Sequence, residues 1–125
     1  MQADDRAQPR TVRPWGWYQT VSSGPGFLIK RIAVLPGQQI SLQRHRHRAE
    51  HWLVVRGTAR VTLGEQVLDL TVGQHCDVPL GTVHRLGNRG ADEVEIVEIQ
   101  LGPLLSEDDI ERLQDDYGRV PLQPA

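Results

Sequence analysis

Residues that could hold a metal ion are concentrated between positions 43 and 50, where Gln43, His45, His47 and Glu50 follow one another closely. Side chains alternate between the two faces of a β-strand, so residues two apart point the same way and can ligate one ion. Gln43 with His45 forms one such pair, and His45 with His47 forms another. Glu50, after a turn or on a paired strand, can add an anionic oxygen. Nitrogen and oxygen ligands of this type suit zinc, manganese, cobalt, nickel or iron.

Two segments, residues 37–57 and 73–88, carry glycine and proline at regular positions around these side chains. The first reads glycine, five residues, ligand, one, ligand, four, glutamate, six, glycine. The second reads glycine, five, proline, one, glycine, two, histidine, three, asparagine. These spacings resemble the two sequence motifs of the cupin superfamily. The resemblance implies four metal ligands: Gln43, His45, Glu50 and His84.

A second register of the first motif would pair His45 with His47 in place of Gln43 with His45. It leaves only two residues before Glu50 and breaks the spacing from Gly37. The resemblance therefore favours Gln43, and His47 is then expected to lie behind the metal ligands or to face the substrate.

Length and composition indicate a single domain of 125 residues that is able to bury its own core. The formal charge of -2 gives no bias toward nucleic acid or an anionic membrane. The sequence shows no signal-peptide pattern and no apolar run of the roughly 20 residues that span a bilayer. We therefore expect a cytoplasmic protein. Positive charge gathers near the motif segments, where it would attract an anion: Arg44, Arg46, Arg48, Arg56, Arg60 and Arg85.

The chain between the two ends alternates short β-like runs with turns, which is typical of an all-β sandwich or barrel. The predicted strands are 27–35, 40–45, 51–56, 58–63, 66–70, 75–78, 83–86 and 93–101. Together with the motifs they imply a cupin double-stranded β-helix, that is, a jelly-roll barrel. The predicted boundaries are a flexible N-terminal tail (1–13), one cupin domain (14–119) and a frayed C-terminal end (120–125).

A short C-terminal helix is predicted over residues 106–114. Ser106 is a suitable N-cap, and the acidic residues that follow it would be stabilised by the helix dipole. Ile110 and Leu113, three residues apart, would pack against the barrel.

Alternation along two strands raises the possibility of ionisable groups inside the barrel. If Val97 and Ile99 pack on one face of the last strand, Glu98 and Gln100 share the other. A carboxyl group buried near a metal site is a candidate for proton transfer, because burial brings its pKa toward the working range. The sequence leaves open whether Glu98 is buried or solvated, and it leaves the same question open for Lys30.

Longer stretches of the chain resemble one group of cupins, the type II phosphomannose isomerases, which occur alone or as the C-terminal domain of bifunctional guanylyltransferases. The resemblance lies in residues 13–18, 36–57, 79–88, 97–102, 107–112 and 116–119. It implies metal-dependent interconversion of mannose 6-phosphate and fructose 6-phosphate through a cis-enediol. No guanylyltransferase pattern accompanies it, so pyrophosphorylase activity is not expected.

The resemblance also implies roles for particular residues. Zinc is the first choice of metal, because Gln43 resembles the glutamine ligand of zinc phosphomannose isomerases. Glu98 or Lys30 would move the proton. Arg48 and Arg85 would hold the 6-phosphate or stabilise the enediolate, since guanidinium groups suit phosphate. The expected site residues are, for catalysis, Lys30, Glu98 and Arg85, and, for substrate binding, Arg48, His47 and Gln100.

Two other functions share these sequence features. A cupin oxygenase would use a similar ligand set on iron, although O2 chemistry has no need of so many arginines. A non-catalytic sugar-phosphate-binding module would bind metal and ligand without turnover. A homodimer is expected in any case, because open sheet edges are commonly covered by a partner.

Overall fold

The computed structural model describes residues 8–119, and these form eleven β-strands in two antiparallel sheets. Short runs of β-branched and aromatic residues separated by glycine turns account for most of them. The strands are β1 (Thr11–Arg13), β2 (Gly16–Gly24), β3 (Phe27–Val34), β4 (Leu42–Arg44), β5 (Ala49–Arg56), β6 (Ala59–Leu63), β7 (Gln66–Leu70), β8 (His75–Val78), β9 (His84–Gly87), β10 (Val94–Leu101) and β11 (Glu111–Gln114).

The sheets have six and five strands. Their orders are β1-β2-β3-β10-β5-β8 and β11-β4-β9-β6-β7. Neighbouring strands are therefore often distant in sequence, as when β10 lies between β3 and β5. The all-β architecture expected from the sequence is confirmed.

The interior changes from apolar to polar along the strands. On β5, the alternate residues Glu50, Trp52 and Val54 are all buried. On β10 the buried set begins with apolar residues and continues with Glu98 and Gln100. One half of the interior is thus a hydrocarbon core, and the other half collects ionisable and amide groups. The core consists of Trp15, Ile32, Val34, Ile40, Trp52, Val54, Ala59, Val61, Cys76, Val78, Leu86, Val94 and Ile96.

One turn shows why the first motif ends in glycine. Gly57 joins β5 to β6 with a φ of 74°, in the left-handed region that other residues rarely adopt. A β-carbon at this position would lie 2.6 Å from the carbonyl oxygen of Glu93. The motif spacing is therefore also a requirement of the backbone.

The predicted C-terminal helix is wrong: the described residues contain no helix. Ser106 does cap the backbone, since its Oγ accepts from the N–H of Asp108 at 3.1 Å, but only one turn forms. The chain then pairs as β11 with β4, which offers free backbone groups at the edge of its sheet. Asp109, expected in a first helical turn, instead accepts hydrogen bonds from the backbone N–H groups of Arg46 and His47.

The N-terminal boundary also differs from expectation. Thr11–Arg13 pairs with β2 as strand β1, so these residues belong to the sheet and not to a tail. The rest of the predicted tail through residue 7, and the predicted frayed end 120–125, lie outside the described residues. Within residues 8–119, no helix is long and apolar enough to cross a membrane.

Candidate active site

Three of the expected metal ligands converge inside the barrel. The distance from His45 Nε2 to Glu50 Oε2 is 3.3 Å, and from His84 Nε2 to Glu50 Oε1 it is 3.8 Å. Ligands bound to zinc at about 2.0–2.2 Å in a tetrahedron are separated by about 3.3–3.6 Å. The His45–Glu50–His84 cluster, with all ligand atoms within 4.8 Å of one another, could therefore hold a metal ion.

Hydrogen bonds fix both imidazoles in the orientation that a metal requires. His45 Nδ1 donates to the carbonyl oxygen of Asp109 at 2.6 Å, and His84 Nδ1 donates to that of Thr82 at 2.8 Å. Nε2 is then the unprotonated nitrogen of each ring, and that of His45 accepts from Arg48 Nη2 at 3.3 Å. His84 Nε2 is buried and has no hydrogen-bond partner among the described residues, as expected for an atom that binds a metal ion.

Both imidazoles are held in the neutral form that can bind a metal. Burial, followed by the nearby charge of Arg48, lowers the pKa of His45 to about 4. Burial is also the main cause that lowers the pKa of His84. Protons therefore compete little with a metal for these nitrogens at neutral pH.

The carboxylate of Glu50 is oriented by two donors. Arg48 Nε donates to Oε2 at 2.8 Å, and Trp52 Nε1 donates to Oε1 at 2.9 Å. Gln43, the fourth expected ligand, pairs in register with His84 across β4 and β9. Its amide Nε2 donates to Ser41 O at 3.5 Å, so its Oε1 remains available as an acceptor.

Glu98 and Lys30 both lie inside the barrel, which answers the question the sequence left open. They pair in register on β10 and β3 and are 3% and 5% exposed. Burial raises the pKa of Glu98 well above its usual range, and the neighbouring carboxylate of Glu50 adds to the effect. Lys30 forms an ion pair with Glu107, and its Nζ lies 4.7 Å from the centroid of the Tyr18 ring.

The other expected substrate residues are placed less uniformly. Arg48 lines the cavity, but its three nitrogens contact Glu50, the carbonyl oxygen of Ser106 and His45 Nε2. Gln100 is buried beside the site, and its Nε2 lies 3.4 Å from Glu98 Oε2. These two side chains hold ligands and the candidate base in place.

Arg85 and His47 lie away from the cavity. Arg85 points to the opposite face of β9 from His84, where its guanidinium contacts the carbonyl oxygen of Ile40 and Gln114. His47 is exposed and lines a separate surface hollow beside Arg46. Neither side chain reaches the His45–Glu50–His84 cluster, so the roles expected for them in catalysis and substrate binding do not fit this structure.

A cavity of about 190 Å³ opens onto the His45–Glu50–His84 cluster and is lined in part by residues outside the two motifs. Their only signal in the sequence was membership of the stretches 13–18, 107–112 and 116–119 that carry the resemblance. The missed residues are Arg13, Trp15, Tyr18, Glu107, Arg112 and Arg119. Ile110, which was expected to pack against the barrel, also lines the cavity.

The barrel and its central His-Glu-His cluster define a cupin. Solved structures with the same fold include a cupin-2 domain from Rhodospirillum rubrum, with a TM-score of 0.63 and 20% identity, covering 74% of this chain and 67% of that one. The oxalate decarboxylase of Bacillus subtilis, described with Mn(II) centres, has a TM-score of 0.74 and 19% identity. That match covers 85% of this chain and 30% of the decarboxylase.

Within this class, the chain belongs to the mannose-6-phosphate isomerase C-terminal family, whose model matches residues 2–115. It is 54% identical to the xanthan biosynthesis protein XanB of Xanthomonas campestris over 89% of this chain and 24% of XanB. It is 53% identical to the alginate biosynthesis protein AlgA of Pseudomonas aeruginosa, over 90% of this chain and 23% of AlgA. It is 46% identical to the mannose-1-phosphate guanylyltransferase ManC of Salmonella typhimurium, over 86% of this chain and 22% of ManC. The chain spans about a quarter of the length of these relatives.

Proposed function

We propose that this chain is a metal-dependent isomerase that interconverts mannose 6-phosphate and fructose 6-phosphate. The observation that carries the proposal is the buried carboxyl group of Glu98, which shares one cavity with the His45–Glu50–His84 cluster. A Lewis acid that polarises the carbonyl and a group that moves a proton are together sufficient for aldose–ketose isomerisation. The family match supports the same reaction.

The ion would be held by His45, Glu50 and His84, with Gln43 as a neutral fourth ligand. Zinc is the first choice, because the set resembles the ligands of zinc phosphomannose isomerases. Nitrogen and oxygen ligands at these separations suit zinc, manganese and cobalt alike. When bound, a divalent ion polarises the substrate carbonyl and stabilises the charge of the enediolate.

Glu98 is the group that we assign to proton transfer. Its carboxylate takes the proton from C2 of the open-chain aldose and returns it to C1, while the hydroxyl proton of O2 moves to O1 across the cis-enediol. A raised pKa suits both halves of this cycle, because the group must accept a proton and then release it. Gln100 positions the carboxyl group, and Lys30, opposite Glu98 on β3, supplies a positive charge to the same end of the cavity.

The proposal is tested by a coupled assay of purified protein loaded in turn with zinc, manganese and cobalt. We expect turnover of mannose 6-phosphate that is lost, together with bound metal, in His45→Ala. His51→Ala is the matched control, because His51 is exposed on the same stretch of chain and contacts Asp77 instead of the cluster. Absence of turnover in every loaded wild-type sample would refute the assignment, and binding of sugar phosphate without turnover would favour a binding module.

We also propose that the chain forms a homodimer. Its support is a group of apolar side chains on the outer face of the six-stranded sheet that are more than a third exposed: Leu53, Val55, Ile99 and Leu101. Sedimentation equilibrium of wild type and Ile99→Glu checks it, since a charge at this face should leave only monomer. A monomeric wild type would contradict it.

A further inference from the structure

Three buried polar side-chain atoms have no hydrogen-bond partner among residues 8–119, and all three belong to residues that line the same cavity. They are His84 Nε2, Trp15 Nε1 and Arg112 Nε. Unpaired buried polar atoms are rare in native proteins because each costs free energy. The candidate metal accounts for His84, whose nitrogen is an acceptor. The other two atoms are N–H donors that the described residues leave without an acceptor, and both belong to side chains that line the cavity.

Strand pairing places Arg112 beside the His45–Glu50–His84 cluster. It lies opposite Gln43 across β11 and β4, and Gln43 lies opposite His84 across β4 and β9. Residues that are paired in this way have β-carbons about 5 Å apart and share a face of the sheet. Trp15 is buried and lies in the turn that joins β1 to β2, so it approaches the cavity from the other sheet.

The charges around Arg112 leave an excess of positive charge at this position. Of the nearby carboxylates, Asp115 is held by both Nε and Nη2 of Arg119, and Glu107 is paired with Lys30. Within the described chain, neither Arg112 nor Arg13 forms a salt bridge. Burial, followed by the charges of Arg119 and Arg13, lowers the pKa of Arg112 by more than the carboxylates of Asp115 and Glu107 raise it.

We propose that Arg112 and Trp15, with Arg13 at the rim, form the subsite that binds the phosphate group of a sugar phosphate. A guanidinium fork matches phosphate geometry, and the phosphate oxygens would satisfy both unpaired donors. The subsite replaces the one expected from Arg48 and Arg85, whose guanidinium groups are occupied elsewhere. That the phosphate is carried by a hexose rests on the proposed function, whereas binding of the phosphate group does not.

The subsite is tested first without catalysis, by titrating inorganic phosphate into ¹⁵N-labelled protein and following the three tryptophan indole N–H signals. Trp15→Phe assigns the Trp15 signal by its loss. We expect phosphate to shift that signal in both zinc-loaded and metal-free protein, with affinity about 10 to 100 times weaker in Arg112→Gln. Arg85→Gln is the matched control and should bind as wild type does.

Two results would overturn the subsite: a Trp15 signal that phosphate does not shift, or an affinity that is unchanged in Arg112→Gln when urea unfolding shows that the variant is folded. If Arg112→Gln fails to fold, Trp15→Phe carries the test. Its phosphate affinity, measured by isothermal titration calorimetry because the Trp15 signal is absent, must be at least a few fold weaker than that of wild type. With an active enzyme, Arg112→Gln should raise the KM for mannose 6-phosphate about 10 to 100-fold with a smaller change in kcat. Phosphate binding at Trp15 in a protein without turnover would leave the subsite standing and reject only the isomerase.

Discussion

Acidification of the metal-free protein should reveal the buried neutral state of His45. The pKa of this residue is about 4 in the folded protein and about 6.5 in an unfolded chain. Between these values the unfolded chain binds a proton that the folded protein rejects, so stability falls as pH decreases from about 6.5 to about 4. At 1.36 kcal/mol per pKa unit, a difference of about 2.5 corresponds to about 3 kcal/mol. Below pH 4 both states are protonated and this contribution ends.

The assay is urea unfolding at pH 7, 6, 5 and 4.5 in the presence of a chelator, for wild type, His45→Gln and His51→Gln. Carboxylates and His84 titrate in all three proteins, so the difference between their pH profiles isolates each histidine. We expect His45→Gln to lose much less stability on acidification than wild type, and His51→Gln, at an exposed position, to follow wild type. Equal pH profiles for wild type and His45→Gln would refute the reasoning that burial keeps this imidazole neutral.

Three further outcomes are expected. Glu98→Gln should reduce kcat by a factor of about 10² to 10⁴. Its zinc content, measured by atomic absorption, should stay at the wild-type value. A kcat within threefold of wild type would exclude Glu98 as the base. Zinc at 100 times its Kd should raise the unfolding free energy of wild type by about 2.7 kcal/mol and that of His84→Ala by much less, as calorimetry can show; equal increments would place the metal elsewhere. Gly102→Ala should lower the free energy of unfolding in urea by about 1–3 kcal/mol, because the new β-carbon would lie 2.1 Å from the carbonyl oxygen of His47. Gly90→Ala is the control and should leave this free energy nearly unchanged, because the nearest atom to its β-carbon is 3.6 Å away. An unchanged midpoint for Gly102→Ala would mean that the loop at residue 47 moves freely.

Local sequence patterns predicted most of the barrel. All eight strands expected between residues 27 and 101 are present, because alternation and glycine turns act over a few residues. The same local reasoning failed near Ser106, where capping and dipole signals favour a helix but the free edge of β4 offers more backbone hydrogen bonds. It also missed β1 and β2, whose polar residues carry little periodicity.

Alternation could have excluded Arg85, since a residue next to His84 on one strand must face the other way. It could not have found Arg112. The pairing of Arg112 with Gln43 joins positions 69 residues apart in sequence, and only the completed sheet brings them together. Arg48 shows the opposite case, because it lies at the site as expected, but its guanidinium is already bound to Glu50.

The sequence by itself determined the fold class, because side-chain alternation and turn residues are local and their spacing survives into the folded chain. Its resemblance to the cupin motifs selected the candidate metal ligands. The tertiary structure decided which ionisable groups are buried together. Burial changes the pKa values of His45, His84 and Glu98, and strand pairing gathers Arg13, Trp15 and Arg112 around one cavity. Both effects depend on neighbours supplied by distant parts of the chain, and no short segment contains that information.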